Sequence, residues 1–266
     1  MELTSKAVEY QLDSGVAWIK LASPRSGNAL NATLISQLSR AIQEAINDES
    51  CRVITISAMG SDFCKGLDLE EAFAKGGLPD QEFFKILVDC LTLIHSSSRP
   101  VIACVEGNVI AGGVGLVAAC DIVLASNNAV FMVSEVIVGM IPAMIAPFLL
   151  RRLTPARLRY MALSSRGISA PEAQIFGLVD EVVTEGTSKT LNRQLQRLFC
   201  SSPHAIAQSK QYFEQLHSVD LHQQTELALN EQMSWLKQPE VTEGIRTFTE
   251  GFSPPWFQKY KGQTHV

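Results

Sequence analysis

The chain has 266 residues, 46% of them hydrophobic, enough to bury a large core in one domain or in one domain with an appendage. A net charge of −5 argues against general nucleic-acid binding. With no signal pattern at the N-terminus, no apolar run long enough to span a bilayer, six scattered cysteines without a CxxC pair and five histidines without ligand spacing, the expectation is cytoplasmic, with no membrane, disulfide or metal site.

In chain order, 8–13 and 16–21 alternate apolar and polar residues around Ser14-Gly15, which predicts a β-hairpin. Ala32–Ile46 carries Leu34, Ile35, Leu38, Ala41, Ile42 and Ala45 at helical spacing, with Asn31 placed as N-cap. Val53–Ser57 reads as a buried strand leading into the turn Ser61-Asp-Phe-Cys-Lys-Gly-Leu-Asp68. Residues 70–80, with Lys75-Gly-Gly-Leu-Pro79, read as a loop near the site, and 81–95 as a helix.

Strand 101–105 leads into Asn108-Val-Ile-Ala-Gly-Gly-Val-Gly-Leu116, a glycine-rich turn that opens a helix. Its spacing is neither a dinucleotide fingerprint nor a phosphate loop. Glycines let the backbone approach a ligand, and the first helical turn offers unpaired N–H groups. Two such turns, each supplying one donor, can hold an oxyanion.

Short strands are expected at 121–125 and 130–132. The apolar stretch 130–150, broken by Ser134, Glu135 and two prolines, is read as buried core. Glu135 lies among apolar neighbours, which should raise its pKa and suit proton transfer near neutrality. From its surroundings alone, a structural carboxylate satisfied by backbone or arginine is an equal reading. After Val183 the patterns at 191–199, 205–217, 221–236 and 241–249 are mainly helical, which predicts a first domain over 1–195 and a helical one over 196–266.

The order of Pro24-Arg-Ser-Gly-Asn-Ala-Leu-Asn31, Asp62-Phe-Cys-Lys-Gly-Leu-Asp68, Gly107-Asn-Val-Ile-Ala-Gly-Gly113, Ser134-Glu135, Gly139-Met-Ile-Pro142, Ser169-Ala-Pro-Glu-Ala173 and Gly177-Leu-Val-Asp180 resembles the enoyl-CoA hydratase (crotonase) superfamily along almost the whole chain. The runs 111–116, 133–136, 147–152 and 252–256 resemble one branch, the dehydratases of polyketide β-branching cassettes, which act on 3-hydroxy-3-methylglutaryl groups held on an acyl carrier protein. The resemblance implies an α/β fold: a crotonase-type ββα spiral core with a C-terminal helical trimerisation domain, assembled as a homotrimer or hexamer.

It also implies a site. Glu135 takes the position of one of the two hydratase glutamates, and the N–H groups of Leu67 and Gly112 form the oxyanion hole. The second glutamate falls on Gly115, so a two-glutamate mechanism does not carry over. Two readings stay open: a single carboxylate carrying a syn elimination through a thioester enolate, or assistance from another polar group or a water that the sequence does not identify. Arg25 and Lys65 lie beside the substrate loops and are assigned to the thioester carrier; Lys65 is open to the distal carboxylate or to a phosphopantetheine phosphate. No cofactor is expected beyond the phosphopantetheine thioester, carried on an acyl carrier protein or CoA.

For Arg151, Arg152, Arg157 and Arg159 the first reading is a solvated face with counter-charges, the second a dock for an acidic carrier. Tyr212, His222 and Tyr260 are assigned to packing or surface. The expected function is dehydration of 3-hydroxy-3-methylglutaryl-carrier protein to 3-methylglutaconyl-carrier protein. The alternatives are a catabolic acyl-CoA hydratase or dehydratase, a 3-methylglutaconyl-carrier-protein decarboxylase, and a non-catalytic crotonase-like binding protein.

Overall fold

A computed structural model describes residues 6–74, 79–184, 187–216 and 238–262. The chain divides into two units, one within Met1–Arg193 and one within Gln194–Lys261.

The first unit opens with the hairpin β1 (Val8–Asp13) and β2 (Val16–Leu21), in register from Val8↔Leu21 to Asp13↔Val16. Ser14 and Gly15 both have positive φ, as a two-residue hairpin turn matched to strand twist requires. Helix α1 (Ala32–Asn47) starts where the Asn31 side chain accepts the Leu34 N–H at 2.9 Å, and it buries all six residues its spacing marks.

Three strand pairs then repeat: β3 (Val53–Ala58) with β4 (Asp62–Cys64), β5 (Val101–Val105) with β6 (Asn108–Ile110), and β7 (Ile122–Ser126) with β8 (Val130–Met132). The first strand of each pair enters a six-stranded sheet, and the second a four-stranded one. The chain therefore winds as a spiral, adding one strand to each sheet per turn. The larger sheet has the order β1-β2-β3-β5-β7-β10, closed by β10 (Glu181–Val183), and is parallel beyond the hairpin. Every residue of β5 is buried, as a parallel strand covered on both faces requires.

Helices α2 (Leu69–Ala74) and α3 (Gln81–Ser96) follow β4, and α4 (Gly112–Ala119) follows β6. After β8 come a 3-10 turn over Glu135–Val138, α5 (Ala146–Leu149), α6 (Pro155–Ser164), β9 (Ile168–Ser169) and α7 (Ala170–Phe176). Two expectations need correction. Residues 70–74, read as loop, belong to α2, whose Asp68 caps the Glu71 N–H at 2.9 Å; residues 75–78 lie outside the described residues. The stretch 130–150 is not wholly core: Ile137, Val138 and Ile141 are exposed, because the chain leaves the sheet after Met132.

Helix α8 (Thr187–Phe199) runs on into the second unit, which also holds α9 (Pro203–Leu216) and a helix over Pro239–Thr249. There Glu240 accepts from Ser202 Oγ at 3.0 Å and meets His204 at 2.6 Å. The buried Tyr260 ring lies 5.3 Å from that of Phe199, a packing role. The Tyr212 ring stands 6.1 Å from that of Phe213. The helix expected at 221–236, with His222, lies outside the described residues. No described helix is long and apolar enough to cross a membrane.

Candidate active site

The four-stranded sheet builds the site. β4, β6 and β8 run parallel, with Asp62 paired to Asn108 and Asn108 to Val130, so their carboxyl ends lie side by side. Beyond β4 the chain turns at Gly66; beyond β6 it turns at Ala111; beyond β8 it enters the 3-10 turn at Glu135. Three successive turns of the spiral thereby bring Leu67, Gly112 and Glu135 to one cavity of about 240 Å³.

Leu30 fixes the first turn. Its N–H donates to Gly66 O at 2.7 Å, and its carbonyl accepts the Asp68 N–H at 3.1 Å. That pairing skips the N–H of Leu67, which has no acceptor among the described residues. The Gly112 N–H, at the first position of α4, likewise has none. A Cβ at Gly66 would lie 2.9 Å from Ile110 O and 3.4 Å from Gly112 N, so the two turns are in contact and only glycine fits between them. Ala111 carries the second turn at φ 48°, ψ −119°, a conformation costing about 1–3 kcal/mol in a non-glycine residue. Its N–H is tied to Met132 O at 2.8 Å.

Glu135 is half-buried, and its Oε2 is fully buried with no hydrogen-bond partner among the described residues. Burial raises its pKa above the ordinary carboxylate value, partly opposed by the N–H groups of Glu135 and Ser134. The rest of the lining is almost entirely apolar, including Leu87, Met132, Met144 and Ile145. Among the described lining residues only Lys65, Ser134 and Glu135 have polar side chains, so Glu135 is the one carboxylate there. Where a second glutamate was absent by sequence, the structure gives the reason: a Cβ at Gly115 would lie 2.2 Å from Ile145 Cγ2.

Lys65 lines the cavity. Its stem fills the space a side chain at Gly27 would need, with Cδ 2.5 Å from the Cβ position, and its Nζ stands 3.3 Å from Asp62 Oδ2. Burial works against the Asp62 charge, but bonds from Asn108 Nδ2 and Lys65 hold its pKa below the usual value. Arg25 sits on the exposed 3-10 turn Pro24–Ser26 and is not among the lining residues, so the structure does not bring it into the cavity.

The arginine cluster is not one face. Arg152 is turned inward: it donates to the carbonyls of Cys120, Asp121 and Leu178 and pairs with Asp180 at 3.2 Å. Arg157 lies over the Phe176 ring at 4.3 Å, Arg151 donates to Pro147 O at 3.0 Å, and Arg159 is exposed. No group of three or more metal-ligating side chains occurs among the described residues.

Sequence reasoning missed Ile145 and Asn28. Asn28 is fully buried at φ 52°, accepts the Ser23 N–H at 2.8 Å, and donates to Met59 O and Asp62 O, both at 2.9 Å. A polar residue followed by Ala-Leu in a glycine turn was the available signal.

The family model described as enoyl-CoA hydratase/isomerase matches residues 11–259. The chain is 30% identical to the bacillaene synthase dehydratase PksH of Bacillus subtilis (strain 168) over 257 residues, 96% of this chain and 98% of that one. It is 31% identical to the mitochondrial enoyl-CoA hydratase domain-containing protein 3 of Xenopus laevis over 248 residues, 92% of this chain and 84% of that one. Among solved structures, an enoyl-CoA hydratase of Mycobacterium smegmatis superposes with a TM-score of 0.87 at 28% identity, covering 94% of this chain and 98% of that one.

Proposed function

This chain belongs to the enoyl-CoA hydratase/isomerase family and has its α/β crotonase fold, and on that premise we propose that it dehydrates 3-hydroxy-3-methylglutaryl-carrier protein to 3-methylglutaconyl-carrier protein. At the coarser level it is an enzyme of the hydratase and dehydratase kind. The observation that supports a dehydratase is a carboxylate with one buried, unpartnered oxygen, Glu135 Oε2, in a cavity also lined by Leu67 and Gly112, whose N–H groups have no acceptor among the described residues.

In this reading the thioester carbonyl oxygen accepts both N–H groups. Glu135 takes the proton from C2, and the charge gathers on that oxygen as an enolate. The electron pair returns to form C2=C3 as the C3–O bond breaks. The leaving hydroxide departs with the proton from Glu135, so water is lost and the carboxylate is restored. Loss of one oxyanion donor typically costs about 2.7–4 kcal/mol of transition-state stabilisation. The chemistry calls for no resident metal or cofactor; the thioester supplies the electron sink.

Support for a carrier-bound substrate comes from similarity to a dehydratase named for bacillaene synthase. Lys65, the one cation among the described lining residues, is the candidate partner for the distal carboxylate. Arg25, outside the cavity, is left to the carrier's phosphate. A second reading, a catabolic acyl-CoA hydratase or dehydratase, is favoured by the apolar walls, which suit a plain acyl chain. A decarboxylase has no need of the base at Glu135, and a binding protein has no need of an unpartnered one.

The test is Glu135→Gln, which keeps the shape and removes the base. Turnover should fall by about 10²–10⁴-fold with an unchanged circular dichroism spectrum. A folded variant with near-normal turnover would remove Glu135 from the mechanism.

A further inference from the structure

Gly115 lies one turn beyond Gly112 on α4, and residues three apart share a helix face. Because side chains lean toward the helix N-terminus, one at 115 would project toward the Gly112 N–H. That space holds Ile145, with Cγ2 2.2 Å and Cβ 2.7 Å from the Cβ position. Ile145 is 2% exposed and lines the cavity. Its carbonyl accepts the N–H groups of Phe148 and Leu149 at 3.1 and 3.0 Å, which fixes its backbone, and β-branching restricts its rotamer. It is therefore a fixed apolar wall beside the oxyanion donors.

Resting on the dehydratase reading above, we infer that Ile145 is the specificity residue for the second substituent on C3, and selects 3-hydroxyacyl thioesters branched there by a methyl group. C3 is only two bonds from the thioester carbonyl carbon, so an oxygen held by Leu67 and Gly112 keeps C3 beside the start of α4. The hydroxyl that leaves must face Glu135, the one carboxylate among the described lining residues. The other substituent meets apolar walls, one of which is Ile145, packed where a side chain at Gly115 would stand. A methyl group gains contact there, whereas hydrogen leaves a gap. The same wall excludes a second carboxylate and the water it would hold.

The experiment compares kcat/KM for two thioesters on one phosphopantetheinylated carrier protein, 3-hydroxy-3-methylglutaryl and 3-hydroxyglutaryl, which differ by that one methyl. The ratio within one enzyme cancels losses common to both substrates. The native chain should prefer the methyl-bearing substrate by roughly 10–200-fold, the worth of one such group in an apolar pocket. Ile145→Ala should bring the ratio toward unity, and Ile145→Val, a milder change if alanine fails to fold, should move it the same way. A native ratio near one, or a ratio unmoved in a folded variant, overturns the role of Ile145 and leaves the dehydratase reading standing. Turnover of neither substrate by the native chain overturns both.

Discussion

Glu135 is the residue on which most of the proposed chemistry turns. Burial favours its protonated form, so its pKa lies above the ordinary value of about 4.3. A base must be ionised to act. The log of kcat/KM is therefore expected to rise with pH through that raised pKa and to flatten above it. A profile whose midpoint sits at the ordinary carboxylate value would place the titrating group elsewhere. Gly115 gives the complementary test. Gly115→Glu must displace a fixed isoleucine and bury a charge, so it should lower stability by at least the roughly 1–3 kcal/mol of overpacking, measured by denaturant unfolding, without raising turnover. Glu135 stood out as a lone acid in an apolar run, and only the resemblance tipped it from a structural carboxylate to a base. Ile145 did not, since nothing in an isoleucine thirty residues beyond Gly115 marks what it touches.

Among elements, the segment from Ser23 to Leu30 has more influence on the site than its one short 3-10 turn suggests. Asn28 ties it to the entry and start of β4, and Leu30 then pairs with the turn that presents Leu67. Asn28→Ala would take a partner from three backbone groups, of which the bond to Asp62 O is buried, at about 1–3 kcal/mol for each that water cannot reach. It should lower both the unfolding midpoint and turnover; loss of turnover without loss of stability would point instead to direct contact with substrate. The longer elements showed in the sequence: α1 through its 3.6-residue period, β5 through an unbroken apolar run. β4 and β6 did not, because each lies inside a turn read for its glycines, 61–68 and 108–116, whereas the equally short β8 stood clear of one. With them went the four-stranded sheet, although it carries the site; the expectation of two donors from separate turns came from the glycines alone.

For the whole molecule, composition set the size of the core, and only the resemblance set the winding. Periodicity cannot tell a spiral from another α/β arrangement, because each strand pair looks alike whichever sheet its members join. The first unit leaves Ile141, Leu163 and Ile175 exposed, apolar surface of the kind that self-association covers. We expect a trimer or a dimer of trimers of the 29.1 kDa chain in sedimentation at micromolar concentration; a stable monomer would contradict it. The negative charge sets a limit on carrier docking, since acyl carrier proteins are acidic and Arg152 is already committed to Asp180 and three carbonyls. We expect any docking to fall to exposed cations, among them Arg25, Lys65, Arg151, Arg157 and Arg159.

The central claim is that one carboxylate and two backbone donors remove water from a branched, carrier-bound thioester. Mass spectrometry of a 3-hydroxy-3-methylglutaryl-loaded carrier protein after incubation with the chain tests it most directly. The expected result is loss of one water with the native chain and an unchanged mass with Glu135→Gln. Loss of carbon dioxide, or an unchanged mass with the native chain, would contradict it.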